Sequence, residues 1–211
     1  TPAMIAPPWM RQDGLRTVAN MRPSATAEMA GFLQVEQHQY PGAAALGSHL
    51  YAFALGAEFD PALVEGGLEF DENFCVPLKH LDPGSKYPLV PVIVNGVNPP
   101  WPTPKRCYDF GRMIREAVES QSGAERVVVL ATGGLSHWVG LPESGDINEE
   151  FDRDFIARLE SGDPERLTEY TGEEIDRAGN GAHEIRTWLV AAGAAGVGFD
   201  VLAYEPVPTW L

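Results

Sequence analysis

The sequence predicts an α/β fold, a single domain over residues 1–211. A central mixed or parallel sheet is flanked by helices, with the functional site at the carboxyl ends of the strands. Three observations carry this expectation. Residues 127–130, Val-Val-Val-Leu, are a short apolar run rich in β-branched side chains, as expected of a strand buried on both faces. Residues 89–95, Leu-Val-Pro-Val-Ile-Val-Asn, are a second such run. Between them, residues 105–120 place Cys107, Phe110, Ile114, Ala117 and Val118 on one helical stripe. Strand, loop, helix, strand is a βαβ unit, which implies parallel strands joined by a right-handed crossover.

The remaining elements follow in order. Residues 1–28 hold no sustained period and read as a wrapping segment, with a short helix expected around residues 26–32. Residues 37–41 read as a loop. Residues 42–57 carry Leu46, His49, Leu50, Phe53 and Ala54 at helical spacing, an amphipathic helix with His49 at its edge. Residues 63–70, with Gly66-Gly67, read as a short strand or turn. Residues 98–104, Asn-Pro-Pro-Trp-Pro-Thr-Pro, are too rich in proline for helix or central strand and form a shaped loop. Phe151, Phe155, Ile156 and Leu159 mark another helix, stopped at Ser161-Gly162-Asp163-Pro164. A short helix over 164–170 and a helix beginning within 178–189 follow, and residues 196–204 complete the chain as a final strand.

Composition narrows the function. Thirty acidic against 15 basic side chains give a net charge of −15, which disfavours nucleic-acid or anionic-membrane binding by bulk electrostatics. The two cysteines, Cys75 and Cys107, form neither a disulfide framework nor a Cys-x-x-Cys metal site. No apolar run approaches the roughly 20 residues of a membrane span, and no signal peptide opens the chain, so a cytoplasmic protein is expected. The chain opens at Thr1 and closes at Leu211 after an irregular proline-rich stretch, which reads as part of a longer sequence.

Chemistry concentrates where strands are expected to end. The run 127–130 stops at Thr132-Gly133-Gly134 and presents Leu135, Ser136 and His137. Ligands of open α/β sheets bind outside the carboxyl ends of strands, and an imidazole there can take and give protons near neutral pH. The bland alternative is a loop histidine bonded to a backbone carbonyl. Asn95 ends the other run in the same manner. Asp71 and Glu72 lie among apolar residues and are acid or base candidates, or else exposed helix-opening acids. Glu184 follows Gly179-Asn180-Gly181, where it is favoured by a helix dipole and where glycine permits close approach to a facing group. Gly133-Gly134 lacks the dinucleotide-binding spacing, and Ser136-His137 lacks a nucleophile elbow.

Four blocks in one order resemble the class III extradiol ring-cleavage dioxygenases, the family of the protocatechuate and gallate dioxygenase catalytic chains. They are Phe70-Asp71-Glu72-Asn73-Phe74-Cys75-Val76-Pro77-Leu78, then Pro91-Val92-Ile93-Val94-Asn95 with Pro102-Thr103-Pro104-Lys105-Arg106-Cys107-Tyr108, then Gly133-Gly134-Leu135-Ser136-His137, then His183-Glu184-Ile185-Arg186-Thr187-Trp188-Leu189. The resemblance implies a non-haem Fe(II) held by two histidines and one glutamate, with open positions for a catecholic substrate and O2. It assigns Glu184 as metal ligand, His137 as acid/base, and Leu135, Ser136 and Asn95 as substrate-binding. Glu72 stands where the family has a catalytic histidine. The family's two histidine ligands have no match, since His38, His49 and His80 sit in other contexts. The chain is therefore expected to be the larger part of a longer chain, or to share its site with another chain, as a homo-oligomer or a hetero-oligomer with a homologous or small subunit. The alternative is a non-catalytic structural or regulatory subunit of the same family.

Overall fold

The computed structural model describes residues 20–23, 40–64, 69–70, 72–121 and 126–208. They group into two compact units, one within Ile5–Ile93 and the other within Val94–Leu211. The helix expected over 26–32, the Gly66-Gly67 turn and Asp71 lie outside the described residues.

In the first unit, β1 (Asn20–Pro23) pairs antiparallel with β2 (Tyr40–Pro41) and parallel with β3 (Glu69–Phe70). Helix α1 (Ala44–Gly56) lies where a helix was expected, but it is weakly amphipathic: Ala54 is buried and Leu46, His49, Leu50 and Phe53 are half-buried. Helix α2 (Glu72–Leu81) opens on Glu72, the helix-opening alternative read for this acid, and carries Pro77 inside it. It turns Cys75 and Leu78 inward against Tyr40 and Phe70, with Phe74, Leu89 and Ile93 packed on this cluster. Phe74 stacks on Phe70 with ring centroids 4.5 Å apart.

The second unit is built on the crossing of α3 (Pro104–Ser120) and α7 (Ile185–Ala195). Thr103 caps α3 by accepting from the Arg106 amide at 3.2 Å, and Pro104 supplies a pre-set first turn. Cys107, Phe110, Ile114 and Ala117 of the expected stripe are buried, joined by Tyr108 and Met113. At the crossing, a Cβ on Gly111 would collide with the Val190 carbonyl, and one on Gly193 with the Tyr108 carbonyl. The two helices therefore meet backbone to backbone. Helix α4 (Glu149–Ser161) is capped by Asn148 and stopped by Gly162 in the left-handed region at φ 63. Helices α5 (Pro164–Thr168) and α6 (Gly172–Asp176) follow, α6 closed by a reciprocal capping box between Thr171 and Glu174. A 3-10 turn, Gly181–Glu184, then leads into α7. Among the described residues no helix is long and apolar enough to cross a membrane.

The expected strands behave differently from the helices. Leu89 forms one parallel bridge with Gly42, and residues 90–95, 126–131 and 196–204 lie in no strand. The burial expected of residues 127–130 is not found: Val128 is 86% exposed and Leu130 50%. A helix satisfies its own backbone locally, whereas a strand draws hydrogen bonds and cover from neighbours distant in sequence. Such neighbours are absent for these runs among the described residues.

Candidate active site

Residues 132–139 run along the start of α7, and a series of hydrogen bonds joins the two segments. Thr187 Oγ1 donates to the Thr132 carbonyl at 2.6 Å, and Trp188 Nε1 donates to the Gly133 carbonyl at 3.2 Å. In return the Gly134 amide donates to Glu184 Oε2 at 2.5 Å. Glu184, Thr187 and Trp188 are spaced three and four apart, so one helical face delivers all three contacts. Gly133 sits at φ 127, a conformation side chains rarely adopt, and a Cβ there would stand 2.9 Å from the Glu184 carboxylate oxygen. Further along, the Gly181 amide donates to the His137 carbonyl at 3.1 Å. The Asn180 amide group brackets Val139, accepting from its N–H at 2.8 Å and donating to its carbonyl at 3.0 Å.

His137 is oriented by this framework. Its Nδ1 lies 2.9 Å from the Leu135 carbonyl, which accepts only, so Nδ1 carries the proton in the neutral ring. Nε2 then presents a lone pair and has no hydrogen-bond partner among the described residues. The ring lies directly over Gly181, where any Cβ would overlap it. A Cβ on Gly134 would be 3.1 Å from His137 Cε1 and 3.8 Å from Glu184 Oε2, so imidazole and carboxylate flank the same glycine.

Ser136 is buried beneath the turn. Its amide donates to Asp152 Oδ1 at 2.7 Å, and its hydroxyl accepts from the Asn148 amide at 2.8 Å. The second oxygen of Asp152, itself buried, accepts from Tyr204 Oη at 2.8 Å. Burial first, and then this bond to a carboxylate, push the Tyr204 hydroxyl above the ordinary phenol range.

Behind Glu184 stands a second buried group. His183, 1% exposed, stacks on Trp101 with ring centroids 4.0 Å apart and an interplanar angle of 14°. Its Nδ1 accepts from Arg186 Nη1, and its Nε2 donates to Asp176 Oδ1 at 2.7 Å. Burial, and secondarily the Arg186 charge, hold His183 below the usual histidine range against the opposing pull of Asp176. Because Nδ1 faces a guanidinium that only donates, Nε2 carries the ring proton and the contact with Asp176 is a hydrogen bond. Arg186 Nε also donates to the Pro102 carbonyl at 2.8 Å, which ties the proline-rich loop to the same cluster.

The other expected site residues lie as follows. Leu135 is half-buried and supplies the carbonyl that orients His137. Asn95 is half-buried, and its side chain organises the following loop, donating to the Asn98 carbonyl at 2.7 Å and accepting from the Val97 amide at 3.2 Å. Glu72 lies in the first unit, exposed at the first position of α2, in the manner of a helix-opening acid. Glu184 closes the 3-10 turn and caps α7, one step before the first α-helical turn where it was expected. The close approach expected at the glycines before Glu184 is found at Gly181, whereas the sequence did not single out Asp152, Thr187, Trp188 or the Trp101–His183 stack. The three-and-four spacing of Thr187 and Trp188 from Glu184 was the one available signal.

Residues 10–210 match the family described as the catalytic LigB subunit of aromatic ring-opening dioxygenase. The chain belongs to that family. It is 36% identical over 156 residues to a gallate dioxygenase of Pseudomonas putida, covering 72% of this chain and 45% of that protein. It is 30% identical over 207 residues to a 2,3-dihydroxyphenylpropionate/2,3-dihydroxicinnamic acid 1,2-dioxygenase of Paraburkholderia xenovorans, covering 74% of this chain and 64% of that protein. A Cupriavidus necator protein of the same description is 29% identical over 173 residues, covering 60% of this chain and 55% of its own. The chain thus spans between about half and two thirds of the length of these relatives.

Extradiol dioxygenases of this family are metal-dependent in general. Among the described residues no group of three or more His, Cys, Asp or Glu stands together as a metal site. Glu184 suits one position of such a site: Gly134 holds Oε2, and Oε1 has no hydrogen-bond partner among the described residues. The described residues therefore fit one corner of a donor set and do not complete it.

Proposed function

We propose that this chain is the catalytic part of an Fe(II)-dependent extradiol dioxygenase that opens a catecholic, carboxylated aromatic ring with O2. Glu184 is a metal ligand in this reading, and His137 is the acid/base. The observation that carries it is the placement of imidazole and carboxylate on either side of Gly134. Fe(II) would supply the centre at which a catechol and O2 meet. Glu184 would be one of the side chains that hold it.

What the chain's own residues do is a proton task. With Nδ1–H committed to the Leu135 carbonyl, His137 Nε2 accepts a proton from a substrate hydroxyl and returns it later in the reaction. The cation formed in between keeps its bond to Leu135, so the ring holds its orientation through both transfers. Leu135 lines the substrate pocket. Ser136 and Asn95 contribute through the loops they hold, and Glu72 remains a further candidate for contact with substrate. The same reading makes residues 89–95 and 127–130 strands of a central sheet. It places the protein in the cytoplasm, as a homo-oligomer or beside a homologous or small subunit.

The relatives act, by name, on gallate and on 2,3-dihydroxyphenylpropionate, and a dihydroxylated aromatic acid is the substrate class proposed here. The test is anaerobic loading of the full-length protein with Fe(II), followed by oxygen uptake with gallate, protocatechuate and 2,3-dihydroxyphenylpropionate. Uptake with one of them, matched by a ring-opened chromophore, supports the proposal. A protein that binds no iron and consumes no oxygen is instead the structural or regulatory homologue.

A further inference from the structure

We propose that His183 is a positioning residue that fixes the direction of the Glu184 carboxylate. The inference rests on the reading of Glu184 as a functional ligand, but its geometry stands apart from any metal. A lone buried histidine needs no explanation beyond packing. Here both ring nitrogens, one ring face and the backbone carbonyl are engaged, one residue before the carboxylate. Nδ1 accepts from Arg186, Nε2 donates to Asp176, and one face lies on Trp101. The His183 carbonyl accepts from Arg186 Nη1 at 3.3 Å and is backed by Gly96, where a Cβ would stand 3.3 Å away.

The cluster also carries charge. The Arg186 guanidinium is 2% exposed and meets neutral acceptors together with the Trp101 ring, whose centroid is 5.5 Å from its Cζ. Asp176, on the far side of His183, is the carboxylate that offsets it. The imidazole thus links a buried cation to a half-exposed anion by two directed hydrogen bonds, and such a link tolerates little rotation. The backbone at 183–184 is held by it, and the Glu184 side chain leaves that backbone toward Gly134. Groups of this kind, one layer behind a ligand, set its orientation.

The test reads the carboxylate through its partner. The Gly134 amide is protected from hydrogen exchange by Glu184, and its rate is measured by NMR in the unsubstituted protein and in His183→Phe, which keeps the ring stack and removes both nitrogens. The expected result is exchange at Gly134 at least about tenfold faster, with the Ile114 amide in α3 changed less than about twofold. His183→Gln, which offers one acceptor and one donor, restores part of the protection. If His183→Phe does not fold, Asp176→Asn at the half-exposed end gives the same readout, with about threefold acceleration confined to Gly134. Unchanged exchange at Gly134, or equal acceleration at Gly134 and Ile114, overturns the inference. Failure of the ring-cleavage reading appears separately, as an unsubstituted protein that binds no divalent metal, and leaves the exchange result intact.

Discussion

Gly134 and Glu184, fifty residues apart in sequence, are joined by a hydrogen bond from the glycine amide to one carboxylate oxygen at 2.5 Å. The other oxygen has no hydrogen-bond partner among the described residues. A carboxylate held by one oxygen loses little further freedom when the second takes a ligand, and this preorganisation distinguishes a site from an exposed acid.

Gly181 governs the other half of the pair. Replacing it with alanine puts a methyl group into the His137 ring, which must swing away from the Leu135 carbonyl. A positioned acid/base contributes about 10²–10⁴ in rate, so kcat of Gly181→Ala falls by about 10²-fold or more. Metal content, which the proposed reading ties to Glu184, stays near that of the unsubstituted protein. Steady-state kinetics and metal analysis of the same preparation check both halves.

Gly193→Ala acts on the scaffold instead. Its Cβ would overlap the Tyr108 carbonyl, so α3 and α7 must separate where they now touch by backbone. The expected cost is about 3 kcal/mol, read as a lower denaturation midpoint with an unchanged slope.

Tyr204 gives the stability a defined alkaline dependence. Its folded-state pKa is raised, chiefly by burial and then by the bond to Asp152, so the folded chain holds this proton more tightly than the unfolded one. The stabilisation is complete below the unfolded value of about 10 and is lost as pH rises beyond it toward the folded value. Tyr204→Phe therefore shows a shallower loss of stability above about pH 10. A residual slope remains from Tyr170, which burial raises in the same direction. Urea midpoints measured across that range decide it.

The helices were legible because their signals are local. The stripes at Cys107, Phe110, Ile114 and Ala117 and at Phe151, Phe155, Ile156 and Leu159 each repeat within a turn or two. His137 and Glu184 were legible from ordered blocks that resemble a family. Their supports were not, since Trp188 to Gly133 and Asn180 to Val139 span 55 and 41 residues, and periodicity carries no information on such pairs. The same limit applies to strands: the β-branched run 127–130 reports a capacity to pair, and pairing depends on residues elsewhere. Glu72 left two readings open, a buried acid or base or a helix-opening acid, and the helix places it outside, in line with the second.

The central claim is that Glu184 binds the metal at which His137 moves protons. Fe(II) content and ring-cleaving oxygen uptake, measured together on the full-length protein and on Glu184→Gln, test it most directly. The amide replacement fills the same space with a far weaker ligand. The account predicts about one iron per chain in the unsubstituted protein, with iron and activity both lost in Glu184→Gln. Full iron loading and undiminished oxygen uptake in Glu184→Gln would contradict it.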